Sequence, residues 1–283
     1  MGESLNNNSI LKIVFIILTY RNTDDILDLI DSIKEKLPSQ CNYECVIVNS
    51  YYDEETKNKI EKIANDNSYV FINCENRGYS YGNQLGIKYA KDNIDYDFLV
   101  IANPDTVIKS FDAKVLSTCS NAIIAPSITN LRNRKQNPML TRFSRTSYKL
   151  MYRGVKYGKS ISFNIGRVIN LFNRKFLLLL RQIVPHKKVK VFQPHGSFII
   201  FSKEALNKLD HEPFDNNMFL FGEEGVLSFK AKEKQIPIYY EKGIKILHKE
   251  DGSMRFSQKS SINKFLIESN DYFYTHYFKK WMH

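Results

Sequence analysis

Apolar residues along this chain fall into two kinds of segment. Some runs are short and unbroken: Ile13 to Leu18, Cys45 to Val48, Val70 to Ile72 and Phe98 to Ala102. Runs of this kind predict strands covered on both faces, as in a parallel sheet. Elsewhere apolar positions recur at helical spacing. Ile26, Leu29, Ile30 and Ile33 follow a Thr23-Asp24-Asp25 start and stop before Pro38, which predicts a helix. A polar helix over Glu55 to Ala64 and another through Leu85, Ile87 and Ala90 complete the alternation. Strand, helix, strand in this rhythm predicts an α/β fold.

The second half is less regular. After Asp105 the pattern predicts a helix-like stretch, then a short strand over Ala122 to Pro126. Asn130 to Ser160 reads as a long loop or short helices. Pro194 to Lys203 reads as a turn and a short apolar strand, and Ile236 to Tyr240 and Ile244 to Leu247 as two further strands. Between them, Ile165, Val168, Ile169, Phe172, Phe176, Leu179, Leu180 and Ile183 recur at helical steps and make one apolar face. Arg167, Arg174 and Arg181 are a heptad apart and fall on the opposite face.

Charge changes the picture in one place. The 283 residues include 41 Lys and Arg against 30 Asp and Glu. From Ala113 to Lys203 there is no acidic residue and there are 18 basic ones, which leaves 23 basic against 30 acidic elsewhere. A basic segment in an otherwise mildly acidic chain should face something anionic. A basic amphipathic helix fits a membrane interface, with Arg167, Arg174 and Arg181 as headgroup or acceptor contacts. It fits the protein's own core or a second subunit equally well. Nucleic acid is disfavoured, because no recognised binding motif accompanies the charge. Four cysteines without a C-x-x-C pair read as reduced thiols. The absence of a basic start before Ile10, and of any run long enough to span a bilayer, predicts a cytoplasmic protein. Attachment to the inner face of a membrane stays open.

Candidate chemistry centres on Asn76 to Asp105. N-R-G-Y-S-Y-G-N-Q-L-G-I leads through a helix to D-F-L-V-I-A-N-P-D-T. Pro104 ends the strand, so Asp105 stands at its carboxyl end, where open α/β sheets bind ligands. Gly78 and Gly82 predict a tight loop that a ligand can approach. A loop, a helix and a strand ending in a carboxylate suggest a nucleotide-phosphate site with a metal. An ordinary βαβ unit whose Asp105 caps a turn fits the spacing equally well.

These motifs resemble the inverting, family-two nucleotide-sugar glycosyltransferases, especially the bacterial rhamnosyltransferase-like branch. The likeness runs from about Ile13 to about Ser253. It implies a GT-A fold, a mixed and mostly parallel sheet with helices on both faces, here with an added basic helical segment. It also implies one domain over 1–283: a nucleotide half at about 10–120, an acceptor half at 121–253 that includes the basic segment 131–190, and an aromatic tail at 254–283. Asn103 and Asp105 stand at the family's metal and diphosphate motif, and Thr19 and Tyr20 where the backbone meets the nucleobase. Asn76, Gly78, Tyr81 and Asn83 belong to the glycine-containing motif. Asn49 replaces a family carboxylate that contacts base or ribose, and its neutral amide can still hydrogen-bond a pyrimidine, which leaves the base identity open. His195 lies in a segment that resembles the sugar and acceptor pocket.

F-D-N-N-M-F-L-F-G-E-E, ending at Glu223 and Glu224, resembles the stretch whose second acid is the family's catalytic base. Position for position that acid is Glu224, with Glu instead of Asp. His248, with Gly252-Ser253 after it, stands where the family places a histidine near a Mg or Mn ion beside Asp105. The resemblance implies transfer of a hexosyl or rhamnosyl group from a UDP- or dTDP-sugar to a glycan hydroxyl, with a lipid-linked acceptor in cell-surface polysaccharide synthesis. Homo-oligomers are compatible with it. A non-catalytic nucleotide-sugar or membrane-binding protein on the same fold, and a nucleotidyltransferase, are the competing readings. The aromatic tail suits a membrane interface or packing on the basic segment.

Overall fold

The computed structural model describes residues 10–183, 188–250 and 259–281. Strands β1 (Leu11–Thr19), β2 (Cys41–Ser50), β3 (Val70–Cys74) and β4 (Phe98–Ala102) alternate with helices α1 (Asp24–Lys36), α2 (Glu54–Asp66) and α3 (Tyr79–Asn93). Each helix returns the chain to the same end of the sheet, so the strands pair in parallel. The predicted α/β alternation is therefore present, with β4 at its expected bounds and β1, β2, α1 and α2 each longer by a few residues. Asp53 caps α2 by accepting from Thr56 N–H at 2.8 Å.

Beyond β4 the chain folds differently from its sequence pattern. Thr106–Phe111 is strand β5, not a helix-like stretch. It is followed by the short helix α4 (Lys114–Ser117) and by β6 (Ile123–Asn130). The basic segment forms α5 (Arg145–Lys156) and α6 (Ser160–Ile183), joined as a hairpin. Then come β7 (Val189–Val191), β8 (Phe198–Ser202), α7 (Lys203–Lys208), α8 (Glu223–Glu233), β9 (Ile238–His248) and α9 (Lys259–Phe273). The two strands expected near residues 236–247 are the single strand β9. A register shift in its pairing with β6, between Pro126 and Ser127, skips β9 residues 242–244.

The sheet order is β3-β2-β1-β4-β8-β6-β9-β5, with β7 against β9. β8 runs antiparallel to both neighbours and joins the parallel half to the rest. β6 and β9 are parallel to each other, and β5 and β7 are antiparallel to β9.

Alternate residues of the central strands enter different cores. Ile13, Phe15 and Ile17 of β1, with Phe98 and Val100 of β4, pack under α1 and α2. Val14 and Ile16, with Leu99 and Ile101, pack under α3, α7 and α8. This two-sided burial is why the sequence shows unbroken apolar runs rather than alternation.

A third, aromatic cluster ties the tail to the second half. Phe273 and Phe278 pack with Met218, Val226 and Phe229, flanked by Phe143, Tyr148 and Phe192. Tyr272 and Tyr277 both donate to Asp215, at 3.0 and 2.6 Å. Tyr152 of α5 stacks on Tyr274 at 4.1 Å and donates to Asp271 at 2.8 Å. Of the two places expected for the tail, packing on the basic segment accounts for these aromatics. Among the described residues no helix is long and apolar enough to cross a membrane.

Candidate active site

The turn after β4 is held by local chemistry. Thr106 donates to the Asn103 carbonyl through both its backbone N–H, at 3.1 Å, and its hydroxyl, at 2.7 Å. Asn103 N–H donates to the Ser197 carbonyl at 2.8 Å, which locks the turn against β8. Asp105 is thereby fixed with only 3% of its surface exposed. Lys249 N–H donates to the Asp105 carbonyl at 2.9 Å, and the Lys249 ammonium pairs with Asp25 on α1 at 2.6 Å. The end of β9 is so pinned beside the turn, and His248 Nε2 sits 3.3 Å from Asp105 Oδ2.

The orientation of His248 is set from a distance. Gln136 Nε2 donates to Glu250 Oε1 at 2.7 Å, which turns Gln136 Oε1 toward His248 Nδ1 at 2.8 Å. An acceptor there calls for a proton on Nδ1. In the neutral ring the Nε2 lone pair then faces the Asp105 carboxylate. Two acceptors that converge in this way fit a shared cation, since cis ligands with ~2.1 Å bonds in an octahedron lie ~3 Å apart. Among the described residues no three His, Cys, Asp or Glu converge as a cation site. A divalent ion held by two protein donors would complete its shell with phosphate oxygens and water, as Mg commonly does. His195 lies beside this pair, its ring 5.4 Å from that of His248. Its Nδ1 accepts from Ser197 N–H at 3.2 Å. Desolvation, and then the neighbouring His248, pull His195 down to about 3, so it is a neutral imidazole near pH 7.

The acid pair opens α8. Phe221 and Gly222 both have positive φ, 74° and 91°, and this left-handed turn starts the helix at Glu223. Glu224 Oε1 accepts from Gly196 N–H at 3.1 Å. A Cβ on residue 196 would stand 2.5 Å from that oxygen, so the contact requires glycine. The Gly196 carbonyl in turn accepts from Tyr79 Oη at 2.7 Å. Burial, and then the carboxylates of Glu224 and Glu223, hold the Tyr79 phenol well above its usual value, so it stays a donor. Burial also raises Glu224, opposed by its own N–H and that of Gly196. Glu223 is 3% exposed, and its Oε1 has no hydrogen-bond partner. Burial first, then repulsion from Glu224, push Glu223 up to about 8. At neutral pH the pair therefore resolves into a protonated Glu223 and a Glu224 that the Gly196 N–H favours as carboxylate.

Both clusters line one cavity of about 1170 Å³. Thr19, Tyr20, Asn76, Gly78, Asn103, Asp105, His195, His248, Glu223, Glu224 and Arg167 are all in its wall. Asn49, Tyr81 and Asn83 are not. Asn49, the last residue but one of β2, has its amide donating to Asn73 at 2.7 Å, and Ser50 reaches the cavity instead. Tyr81 carries the Arg77 guanidinium 4.4 Å above its ring, and Asn83 donates back to the Tyr79 carbonyl at 3.0 Å. α3 begins at Tyr79, so the residue facing the cavity is Tyr79. Gly82 lies inside that helix, where a Cβ would come 2.3 Å from Leu18 Cδ1. It is a packing glycine rather than a ligand loop. Gly78, at φ 97°, brings the same helix start against the Phe219 carbonyl, 2.0 Å from where its Cβ would be.

Arg167 stands at the cavity rather than on a surface set apart from it. The side chains of Arg174 and Arg181, and the segment with Gly252 and Ser253, lie outside the described residues. Gln136 and Glu250 had no signal in the sequence. Both are common polar residues, and only folding brings them to His248.

Residues 14–116 match the family described as glycosyl transferase family 2. A curated relative, the low-salt glycan biosynthesis hexosyltransferase Agl10 of Haloferax volcanii, is 23% identical over 227 residues, covering 79% of this chain. The chain spans 62% of the length of that relative. Among solved structures, S. aureus TarS 1–349 in complex with UDP-GlcNAc superposes with a TM-score of 0.53 at 13% identity, over 88% of this chain and 62% of that one. GalNAc-T7 with UDP, GalNAc and Mn2+ superposes with a TM-score of 0.57 at 13% identity, over 95% of this chain and 50% of that one. The chain thus shares the GT-A fold of these solved structures, and its residues 14–116 match the model of glycosyl transferase family 2.

Proposed function

We propose that this protein transfers a sugar, with inversion, from a UDP- or dTDP-sugar to a hydroxyl of a glycan acceptor. The observation that carries the reading is the meeting of two clusters in one cavity. Asp105 and His248 come from the end of β4 and β9, and Glu223 and Glu224 from the start of α8. The Agl10 likeness supports sugar transfer, and the TarS and GalNAc-T7 complexes support a nucleotide-sugar donor on this fold.

Glu224 is the general base in this reading. It accepts the proton of the acceptor hydroxyl as that oxygen attacks the anomeric carbon. The new C–O bond forms as the bond from the anomeric carbon to the diphosphate breaks, and the nucleoside diphosphate leaves with the electron pair. Attack opposite the leaving group inverts the centre without a covalent enzyme intermediate. Asp105 and His248 would hold Mg or Mn, which offsets the charge on the diphosphate. Protonated Glu223 can donate to a sugar oxygen, and neutral His195 fits the same pocket as a further polar contact. Thr19, Tyr20 and Ser50, at the ends of β1 and β2, form the part of the wall that suits a nucleoside. The same wall also carries Phe143, Tyr148, Phe163, Phe229, Phe265 and Phe273. So apolar a wall suits an acceptor with a lipid carrier, as in assembly of a cell-surface glycan.

Nucleotide release from UDP-, dTDP- and GDP-sugars, with and without Mn2+, tests the reading. Glu224→Gln should cut transfer by about a hundredfold or more while donor affinity stays near normal. Equal turnover by wild type and this variant refutes the assignment of the base. Metal-independent donor binding without turnover by the wild type would favour a non-catalytic binder.

A further inference from the structure

α6 leaves an apolar face uncovered. Ile161 is 75% exposed, Phe172 71%, Phe176 61% and Leu179 55%, with Ile165 and Val168 close to half exposed. At 100° per residue these six positions share a sector of about 80°. The packed side of the helix points the other way. Gly166 meets Ser147 and Met151 of α5, and its carbonyl accepts from Ser147 Oγ at 2.8 Å. Asn170 donates to the Met151 sulfur. Phe163, Asn170 and Leu171 reach the cavity from that inner side. The outer stripe is therefore not the back of a core helix. Large aromatic side chains in water on consecutive turns are costly, and a surface of this kind marks an interaction site.

We propose that this stripe seats the protein on an anionic lipid bilayer. Charge selects the occupant. The window from Ala113 to Lys203 has no carboxylate and holds α5 and α6 entire. Lys149 and Arg153 of α5 and Lys175 of α6 are exposed, as is Lys159 between the two helices. Lys175 lies about 60° from the centre of the stripe on the helical projection. A second copy of the chain would bring the same positive charge against its own and be repelled. Anionic headgroups would attract it, at roughly 1 kcal/mol per basic residue near the surface. α6 then lies in the interface with Phe172 and Phe176 among acyl chains, as amphipathic helices do. The inner side of the same helix lines the cavity, so the bilayer and the cavity mouth are neighbours. The face lies outside the acid and metal clusters, and binding to it needs no donor, so the inference stands or falls apart from the transfer reading.

The test is flotation of the full chain with phosphatidylcholine vesicles, with and without phosphatidylglycerol. Wild type should float with the anionic vesicles at low salt and be released at high salt. Ile165→Ser, Phe172→Ser and Phe176→Ser together should lower the partition coefficient by roughly a hundredfold, since each removes an apolar side chain from lipid. All three residues are exposed, so circular dichroism and thermal unfolding should stay as in wild type. As a second measurement, Phe172→Cys labelled with an environment-sensitive fluorophore should shift to the blue on anionic vesicles. Wild type that stays free of anionic vesicles at low salt overturns the proposal, as does a triple variant that floats equally well or a label that does not shift. A wild-type dimer that the triple variant converts to a monomer would assign the stripe to a second copy, which also overturns it.

Discussion

Glu223→Gln separates the two acids by stability rather than by rate. The Glu223 carboxyl is 3% exposed, with Oε1 lacking a partner, and burial and Glu224 hold it near 8 instead of 4.5. Its proton is therefore bound more tightly in the folded chain than in the unfolded one. That binding stabilises the fold fully below the unfolded value of 4.5, and the benefit is lost as pH rises toward about 8. The displacement corresponds to at most ~5 kcal/mol at 1.36 kcal/mol per pH unit. The effective dielectric at buried sites is well above that of a dry interior, so ~2 kcal/mol is the expected loss between pH 5 and 8.5. In a chain of this size that is a fall of roughly 4–8 °C in melting temperature. Gln keeps the shape and cannot ionise. The variant should lose much less stability over the same range, and above pH 8 it should melt higher than wild type. Thermal or urea unfolding in chelator, at half-unit pH steps, reads this directly. A variant with the full wild-type pH slope refutes the protonated Glu223 and with it the division of roles between the acids.

Asp105→Ala should remove Mn2+-dependent nucleotide binding by calorimetry and lower turnover on the order of a hundredfold or more, because in the proposed site Asp105 is the carboxylate that would hold the cation. Calorimetric binding equal to that of wild type would remove Asp105 from the metal site. Gly196→Ala puts a methyl 2.5 Å from Glu224 Oε1 and so displaces the base without touching its charge. Transfer should drop about tenfold or more with donor affinity and melting temperature little changed, and undiminished transfer would mean that this contact does not position the base.

Much of the frame was legible in the chain. Residues buried on both faces must be apolar at every position, so β1 and β4 announced themselves as central strands. Pro104 cannot continue a ladder, and that alone put Asp105 at a strand end. These are local rules, written in neighbours along the sequence.

The rest depended on contacts between distant segments. β5 was misread because its apolar positions, Val107, Ile108 and Phe111, also fit a helix, and its pairing with β9 breaks register between Ile108 and Ser110. What makes it a strand is an open edge of β9, which no local pattern reveals. Tyr79 rather than Tyr81 faces the cavity because Phe219 fixes where α3 begins, and a shift of two residues turns a helix by more than half a circle. His248 gains its orientation from Gln136, 112 residues away. The periodicity of α6 gave its apolar face but not what that face meets. Helical spacing of apolar residues says only that two sides of a helix differ, and only the packing of α5 on the opposite side leaves Phe172 and Phe176 turned outward.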